Sequence, residues 1–455
     1  MKKYSKQYIF ETMPVPQAIA KLAIPTILGM LVTVVYNLAD TFFVGQIGDR
    51  NQVAAVTIAM PIFMILMAFG NLFGVGSSSF ISRLLGAKDY DTVKKTSAFS
   101  FYSCIIVGVI VAIIGTVFIE NIIHLLGSSD NTFKFARQYL SAIFFGAPFV
   151  ILSFAMGQMI RAEGASKEAM MGMMLGTVIN IALDPILILY FKMGVYGAAV
   201  ATIFANCISV VYYIIYFIKH SEFLSISPIN YNPTIAIVKN ILAIGTTASL
   251  TNVLMSISSI VLNNFAVEYG DTVVAALGIV NRIIMLPVLL TIGLCQGVQP
   301  IIGYTYAANN RARMKETMKR TGIIGTVVAI TITVLLYFVG ENAVKIFIDD
   351  AQTVELGAKF LRNNLISIPF LGLLFLFSFT FQALGKAFPS LLLAISRQGF
   401  VFIPTLIFGN MLFGLNGIVF AQPIADIFSA FMSVIMAIFV FKKGKNSKKH
   451  EPTST

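Results

Sequence analysis

Residues 178–191 read VINIALDPILILYF, which sets Asn180 and Asp184 one helical turn apart in an otherwise apolar run. A spacing of four puts both side chains on one helix face, where an amide and a carboxylate can together hold a proton or a small cation. Pro185 follows directly. It has no backbone N–H, and its ring clashes with the carbonyl of residue 181, so an unwound or kinked stretch is expected beside the carboxylate. Asp40, Asp426, Arg282 and Arg397 are among the few other ionisable residues within apolar stretches. A charged aspartate at mid-membrane costs about 2.5–3.5 kcal/mol on insertion scales, so each such residue asks for a partner or a function. Asp184 reads as a carboxylate placed to hold a small cation, against the plainer reading of a structural carboxyl hydrogen-bonded to a neighbouring helix; Asp40, with Tyr36 one turn earlier, lies in the first apolar stretch. For Asp426 a structural role hydrogen-bonded to a neighbouring helix and a functional one stay equally open; Arg282 and Arg397 read as structural or interfacial.

The elements that must position these residues are membrane helices. The 455-residue chain is 57% hydrophobic and 11% charged, whereas ordinary soluble domains carry about 25% charged residues. Repeated apolar stretches reach the roughly 20 residues that cross a bilayer as a helix. Twelve spans are expected, near 20–46, 53–80, 97–119, 135–160, 169–191, 197–218, 240–266, 273–304, 320–340, 356–382, 389–412 and 416–441. The first 18 residues show no cleavable signal pattern, so the first span is expected to serve as the uncleaved signal. Cys104, Cys207 and Cys295 all fall inside spans, which argues against a disulfide framework, and no CxxC or His-rich metal spacing occurs.

The net charge of +12 is a topology signal. Arginines and lysines gather in alternate loops, around Arg83–Lys95, Arg161–Lys167, Lys219–Lys239, Arg311–Arg320 and Lys386. Lys2, Lys3 and Lys6 at one end, and Lys442, Lys443, Lys445, Lys448 and Lys449 at the other, fall on the same side. The positive-inside rule then puts both termini in the cytoplasm. The same basic residues can touch anionic membrane lipids; no nucleic-acid partner is implied.

The chain also repeats itself at a shift of about 220 residues. GDRNQVAAV (48–56) answers GDTVVAALG (270–278), GAKDYDTVKKT (86–96) answers AANNRARMKET (307–317), and the landmarks Pro148, Gly164 and Gly197 answer Pro369, Gly385 and Gly417. Two six-span halves of like orientation form a recurring plan for secondary transporters. We therefore expect an all-α membrane protein of twelve helices in two pseudo-symmetric lobes: residues 1–218, a cytoplasmic linker 219–239, residues 240–441, and a basic tail 442–455.

The first-span pattern P-x14-D-x4-G (Pro25, Asp40, Gly45), the segment FGNLFGVGSSSFISRLLGAKDY (69–90) and the LDPILI stretch resemble the multidrug and toxic compound extrusion (MATE) family, and within it a MepA-like bacterial branch. The resemblance covers the whole chain. It implies an antiporter that exports amphiphilic organic cations, drugs included, with protons or sodium as coupling ion and no cofactor, working in the cell membrane as a monomer. It carries cation coupling onto Asp40, Asn180, Asp184, Thr202 and Tyr139, with sodium, if used, held by Asp40, Asn180, Asp184 and Thr202. Two carboxylates this close titrate as a pair. It makes Pro25 a conformational hinge. Where the second half matches Asp40 and Asp184 it has Ile260 and Ile403, and its eighth span reads LCQGVQP, so coupling is expected to be asymmetric.

For the substrate cavity the candidates are Tyr36, Gln296 and the methionines Met60, Met64 and Met67, which recur on one face of the second span; flexible thioethers repack around varied shapes. Two other readings compete. A flippase for a lipid-linked sugar would favour several intramembrane cations, and few are present. An intramembrane aspartyl enzyme would need a GxGD pattern, which is missing, as is any Walker GxxxxGK[ST] for direct use of ATP.

Overall fold

The computed structural model describes residues 6–446, with side chains through Lys442. Lys2, Lys3, Lys448 and Lys449 lie outside the described residues, as does most of the tail 442–455, and the side chains of Lys443 and Lys445 are not described. Among the described residues every regular element is a helix.

A short helix, α1 (Lys6–Glu11), precedes the spans. The first half follows as α2 (Val15–Gly45), α3 (Arg50–Gly86), α4 (Tyr90–Val117), the short α5 (Ile119–Leu125), α6 (Asp130–Phe145), α7 (Ala147–Ala162), α8 (Ser166–Asp184) and α9 (Gly194–Lys219). The second half comprises α10 (Ile235–Val267), α11 (Asp271–Ala307), α12 (Arg311–Lys345), α13 (Ala351–Leu365), α14 (Ile368–Ala383), α15 (Ala387–Ile395), α16 (Phe402–Phe413) and α17 (Leu415–Asn446). Among the described residues ten helical segments are long and apolar enough to cross a membrane, and two bent pairs bring the number to twelve when each pair is one span.

The polar residues of the repeated motifs start these helices. Asp49 caps α3 by accepting the Asn51 N–H at 2.9 Å, and Asp89 caps α4 by accepting that of Thr92 at 3.1 Å. Each satisfies a backbone donor that the first helical turn leaves free.

Spans 4 and 10 depart from the straight helices expected over 135–160 and 356–382. α6 and α7 meet at 53°, α13 and α14 at 48°. The cause is a proline in the first turn of α7 and of α14. Pro148 cannot donate to Phe144, nor Pro369 to Leu365, so each helix stops and restarts where a missing N–H does no harm. The first segment of each bent span is tied at its start: the Ser129 N–H donates to Thr132 Oγ1 at 3.0 Å before α6, and Asp350 accepts the Thr353 N–H at 2.8 Å before α13.

Left-handed backbone repeats with the sequence. Positive φ occurs at Gly48 and Gly270, at Lys88 and Asn309, at Gly164 and Gly385, and at Gly194 and Gly414, each pair about 220 residues apart. Spans 5 and 11 both widen into a π-helical turn, Pro185–Tyr190 in one and Ser396–Phe400 in the other.

Compactness does not follow this duplication. One compact unit joins the chain up to Val253 to Gln296–Thr317 and Ala383–Gly385; the other holds Leu254–Cys295, Met318–Gln382 and the chain from Lys386 onward. Within the first unit, α3 and α10 touch through backbone near the basic loops. A Cβ at Gly76 would collide with the Ile241 backbone, and one at Gly245 with that of Leu72. Membrane helices gain little by burying apolar surface against one another, so such close approach carries the packing.

Candidate ion-coupling site

The site lies wholly within the first half and is built on α2, α6, α8 and α9. α8 presents Asn180 and Asp184, both fully buried, on the face that packs against α9. With its amide turned so that the nitrogen faces the aspartate, Asn180 donates to Asp184 Oδ2 at 3.1 Å and accepts the Thr202 N–H at 3.3 Å. Thr202, 3% exposed on α9, places its hydroxyl 3.3 Å from the Tyr36 hydroxyl on α2. Asp40 lies one turn beyond Tyr36, half-buried, close enough to Asp184 for the two carboxylates to interact electrostatically. Both also act on Tyr36 and on Tyr139, which comes from α6, the first half of the bent fourth span. Among the described residues neither aspartate is paired with a lysine or arginine.

The stretch after Asp184 is not unwound. It continues as the π-helical turn Pro185–Tyr190, which accommodates a residue with no N–H by lengthening the hydrogen-bonded loop rather than breaking the helix. Such turns inside α-helices cluster at functional sites. Here it follows the carboxylate immediately.

Two participants were missed in the sequence. Asn206, one turn after Thr202 on α9, donates to the Thr202 carbonyl at 2.8 Å and accepts from Ser153 of α7 at 2.6 Å. They extend the chain of polar groups from Tyr36 through Thr202 into span 4. The i,i+4 spacing of Thr202 and Asn206 was the available signal, but α9 also carries polar residues that serve packing alone. Ser209, for example, donates to Gly172 O at 2.9 Å.

The other expected residues are placed as follows. Pro25 lies inside α2, which runs unbroken past it. Met60 and Met64 are exposed, at 48% and 44%, and Met67 is half-buried. Gln296 is buried, and its side-chain oxygen has no hydrogen-bond partner among the described residues.

A buried carboxylate held by an amide, a second carboxylate beside it and flanking hydroxyls offer oxygen ligands that a proton or a hard monovalent cation can occupy. They assemble no nucleophile with an activating base, so nothing here resembles a hydrolytic centre.

Comparison with known proteins agrees. The family model described as MatE matches residues 25–186 and again 248–408. The chain is similar to a multidrug export protein, MepA, of Staphylococcus saprophyticus subsp. saprophyticus, at 37% identity over 95% of this chain and 96% of that one. It is similar to the MepA of Staphylococcus aureus at 36% identity, with the same coverage. A solved structure described as an outward-facing conformation of a multidrug resistance MATE family transporter of the MOP superfamily superposes with a TM-score of 0.91. That match has 26% identity and covers 97% of this chain and all of the other. The two separate family matches fall on the two sequence halves, and the curated relatives are exporters rather than enzymes. This chain therefore belongs to the MatE family: it is a multi-pass membrane protein and a multidrug efflux transporter.

Proposed function

We propose that the protein exports amphiphilic organic cations by antiport with protons or sodium through alternating access, with Asp40, Asn180, Asp184, Thr202 and Tyr139 as the coupling set. One observation carries the reading: two neighbouring carboxylates in the first half, one fully buried, are paired with no lysine or arginine among the described residues. An intramembrane carboxylate without a resident cation calls for an external one, and a site that must exchange its ion is what coupling requires. The π-helical turn beside Asp184 supplies a locally adaptable helix, and Pro25 supplies a point where α2 lacks one backbone bond and can bend. The backbone contact of α3 with α10 near the basic loops supports a gate at that end, which must part for the site to face the other side. The loop charges orient that end, with both termini, toward the cytoplasm. In this reading the protein works as a monomer among lipids, with no cofactor and no nucleic-acid partner.

The test is ethidium export by purified protein in liposomes under separately imposed proton and sodium gradients, with Asp184→Asn alongside. Export driven by one gradient and lost in the variant is expected. Export that ignores both gradients, or that Asp184→Asn leaves intact, would overturn the assignment.

A further inference from the structure

The second half holds a charged cluster that the coupling reading does not use. Arg397 projects from the π-helical turn of span 11, and its Nε donates to Asp426 Oδ1 on α17 at 2.8 Å. Gln422, one turn before Asp426, donates to the same oxygen at 2.8 Å, and Ser367, at the bend of span 10, lies 3.4 Å from Oδ2. The guanidinium carbon sits 5.0 Å from the centre of the Phe375 ring. The π turn is itself braced, because Ser258 of α10 donates to the carbonyl of Gln398.

This is not how a purely structural pair is made. Arginine and carboxylate ordinarily dock through two parallel N–H bonds. Here Asp426 divides its acceptors among three donors and engages only Nε. A guanidinium carries five N–H donors. The four on Nη1 and Nη2 meet no acceptor among the described residues, while 13% of the side chain stays accessible. Arg397 lies ten residues into the span Ala387–Phe413, or about 15 Å at 1.5 Å per residue. That is too deep for a lipid headgroup to supply the missing acceptor. Asp426 thus neutralises and aims the guanidinium, Phe375 supports its face, and one planar edge is presented at mid-membrane.

We propose that Arg397 is a specificity-determining residue whose free edge receives the carboxylate of acid-bearing, zwitterionic substrates, with Asp426 and Gln422 as the residues that position it. The inference rests on the exporter reading above. It adds a class of cargo that two unpaired carboxylates in the first half would by themselves disfavour. The planar fork of arginine matches a carboxylate in a way that the point charge of lysine does not.

The test uses two dyes in proteoliposomes, a rhodamine with a free benzoate and its methyl ester. Replacing Arg397 alone would leave Asp426 buried and unpaired, so the informative variant is Arg397→Met with Asp426→Asn, which removes both charges. Wild-type protein should export both dyes. The double variant should export the ester at close to the wild-type rate and the acid about tenfold more slowly or worse, the scale of a lost charged hydrogen bond. Arg397→Lys, which retains the charge and leaves Asp426 partnered, should lie between. A double variant that keeps the wild-type ratio of acid to ester overturns the proposal, as does wild-type protein that exports only the ester. Wild-type protein that exports neither dye overturns the exporter reading, and this inference with it.

Discussion

The two halves of the chain share a framework and differ in chemistry. The framework repeats in the positive-φ residues about 220 positions apart, in the bends of spans 4 and 10, and in the π-helical turns of spans 5 and 11. The chemistry does not. In the first half the π turn follows Asp184, and neither Asp184 nor Asp40 has a cationic partner among the described residues. In the second half the π turn carries Arg397, which is paired with Asp426. One half holds two carboxylates with no such partner among the described residues; the other carries its cation as part of the chain. The backbone of a repeat is fixed by turns and helix breaks that few residues can make, whereas a polar position inside a lobe is free to change sign as long as it finds a partner.

The same substitution in the two halves should therefore fail in two ways, and the largest effect belongs to the first. Asp184→Asn preserves volume and one hydrogen-bonding oxygen while removing the titratable charge. Efflux should fall to near background with normal membrane abundance, measured as dye export per unit of transporter. Asp40→Asn should do the same, and the double variant should be no worse than either, because residues of one unit are not additive. Losses that are partial and multiply in the double variant would describe two separate sites.

Asp426→Asn should instead damage the fold. Removing one member of a buried ion pair leaves an uncompensated charge, typically a loss of about 3–5 kcal/mol. Lower abundance and a lower melting temperature in detergent are expected, restored in large part when Arg397→Met is added. An Asp426→Asn protein that is stable but uncoupled would erase the contrast between the halves.

A smaller effect separates Pro25 from Gly245, which takes its place where ILAIGTTAS (241–249) answers KLAIPTILG (21–29) in the repeat. Gly245 is locked against the backbone of Leu72, while Pro25 lies within an unbroken helix. Pro25→Ala restores a backbone hydrogen bond and should slow turnover several-fold without changing drug affinity; equal loss of both would return Pro25 to a packing role.

The smallest effect concerns the matched caps. Thr132→Val removes the hydroxyl that accepts the Ser129 N–H and should cost about 1 kcal/mol, the usual value for a lost helix cap. Asp350 is different in kind, because hydrogen bonds from the Thr353 side chain and backbone hold its carboxyl below the ordinary range. A lowered folded-state value stabilises above the unfolded one, so this contribution should be complete at neutral pH and fade as pH drops below about 4. Melting curves across that range should show a small acid-dependent loss in the parent that Asp350→Ala lacks.

Much of this was legible from residue order. Apolar length gave the twelve spans, and the Asn180/Asp184 spacing, fixed by the helical period, placed both side chains on one face of α8. Pro148 and Pro369 were read as landmarks of the repeat, yet their consequence, two bent spans, was not, since a proline inside a membrane helix can kink, bend or be absorbed according to its neighbours. The pairing of Arg397 with Asp426 was equally hidden. The two lie 29 positions apart on different spans, and no period of a single helix connects them. The sequence alone determined what each helix must bury and which residues are too polar to sit in a membrane without reason, because both follow from transfer energies and local geometry. Only the tertiary structure decided which of those residues found a partner, because that depends on the distance between helices and on the side each one turns toward the next.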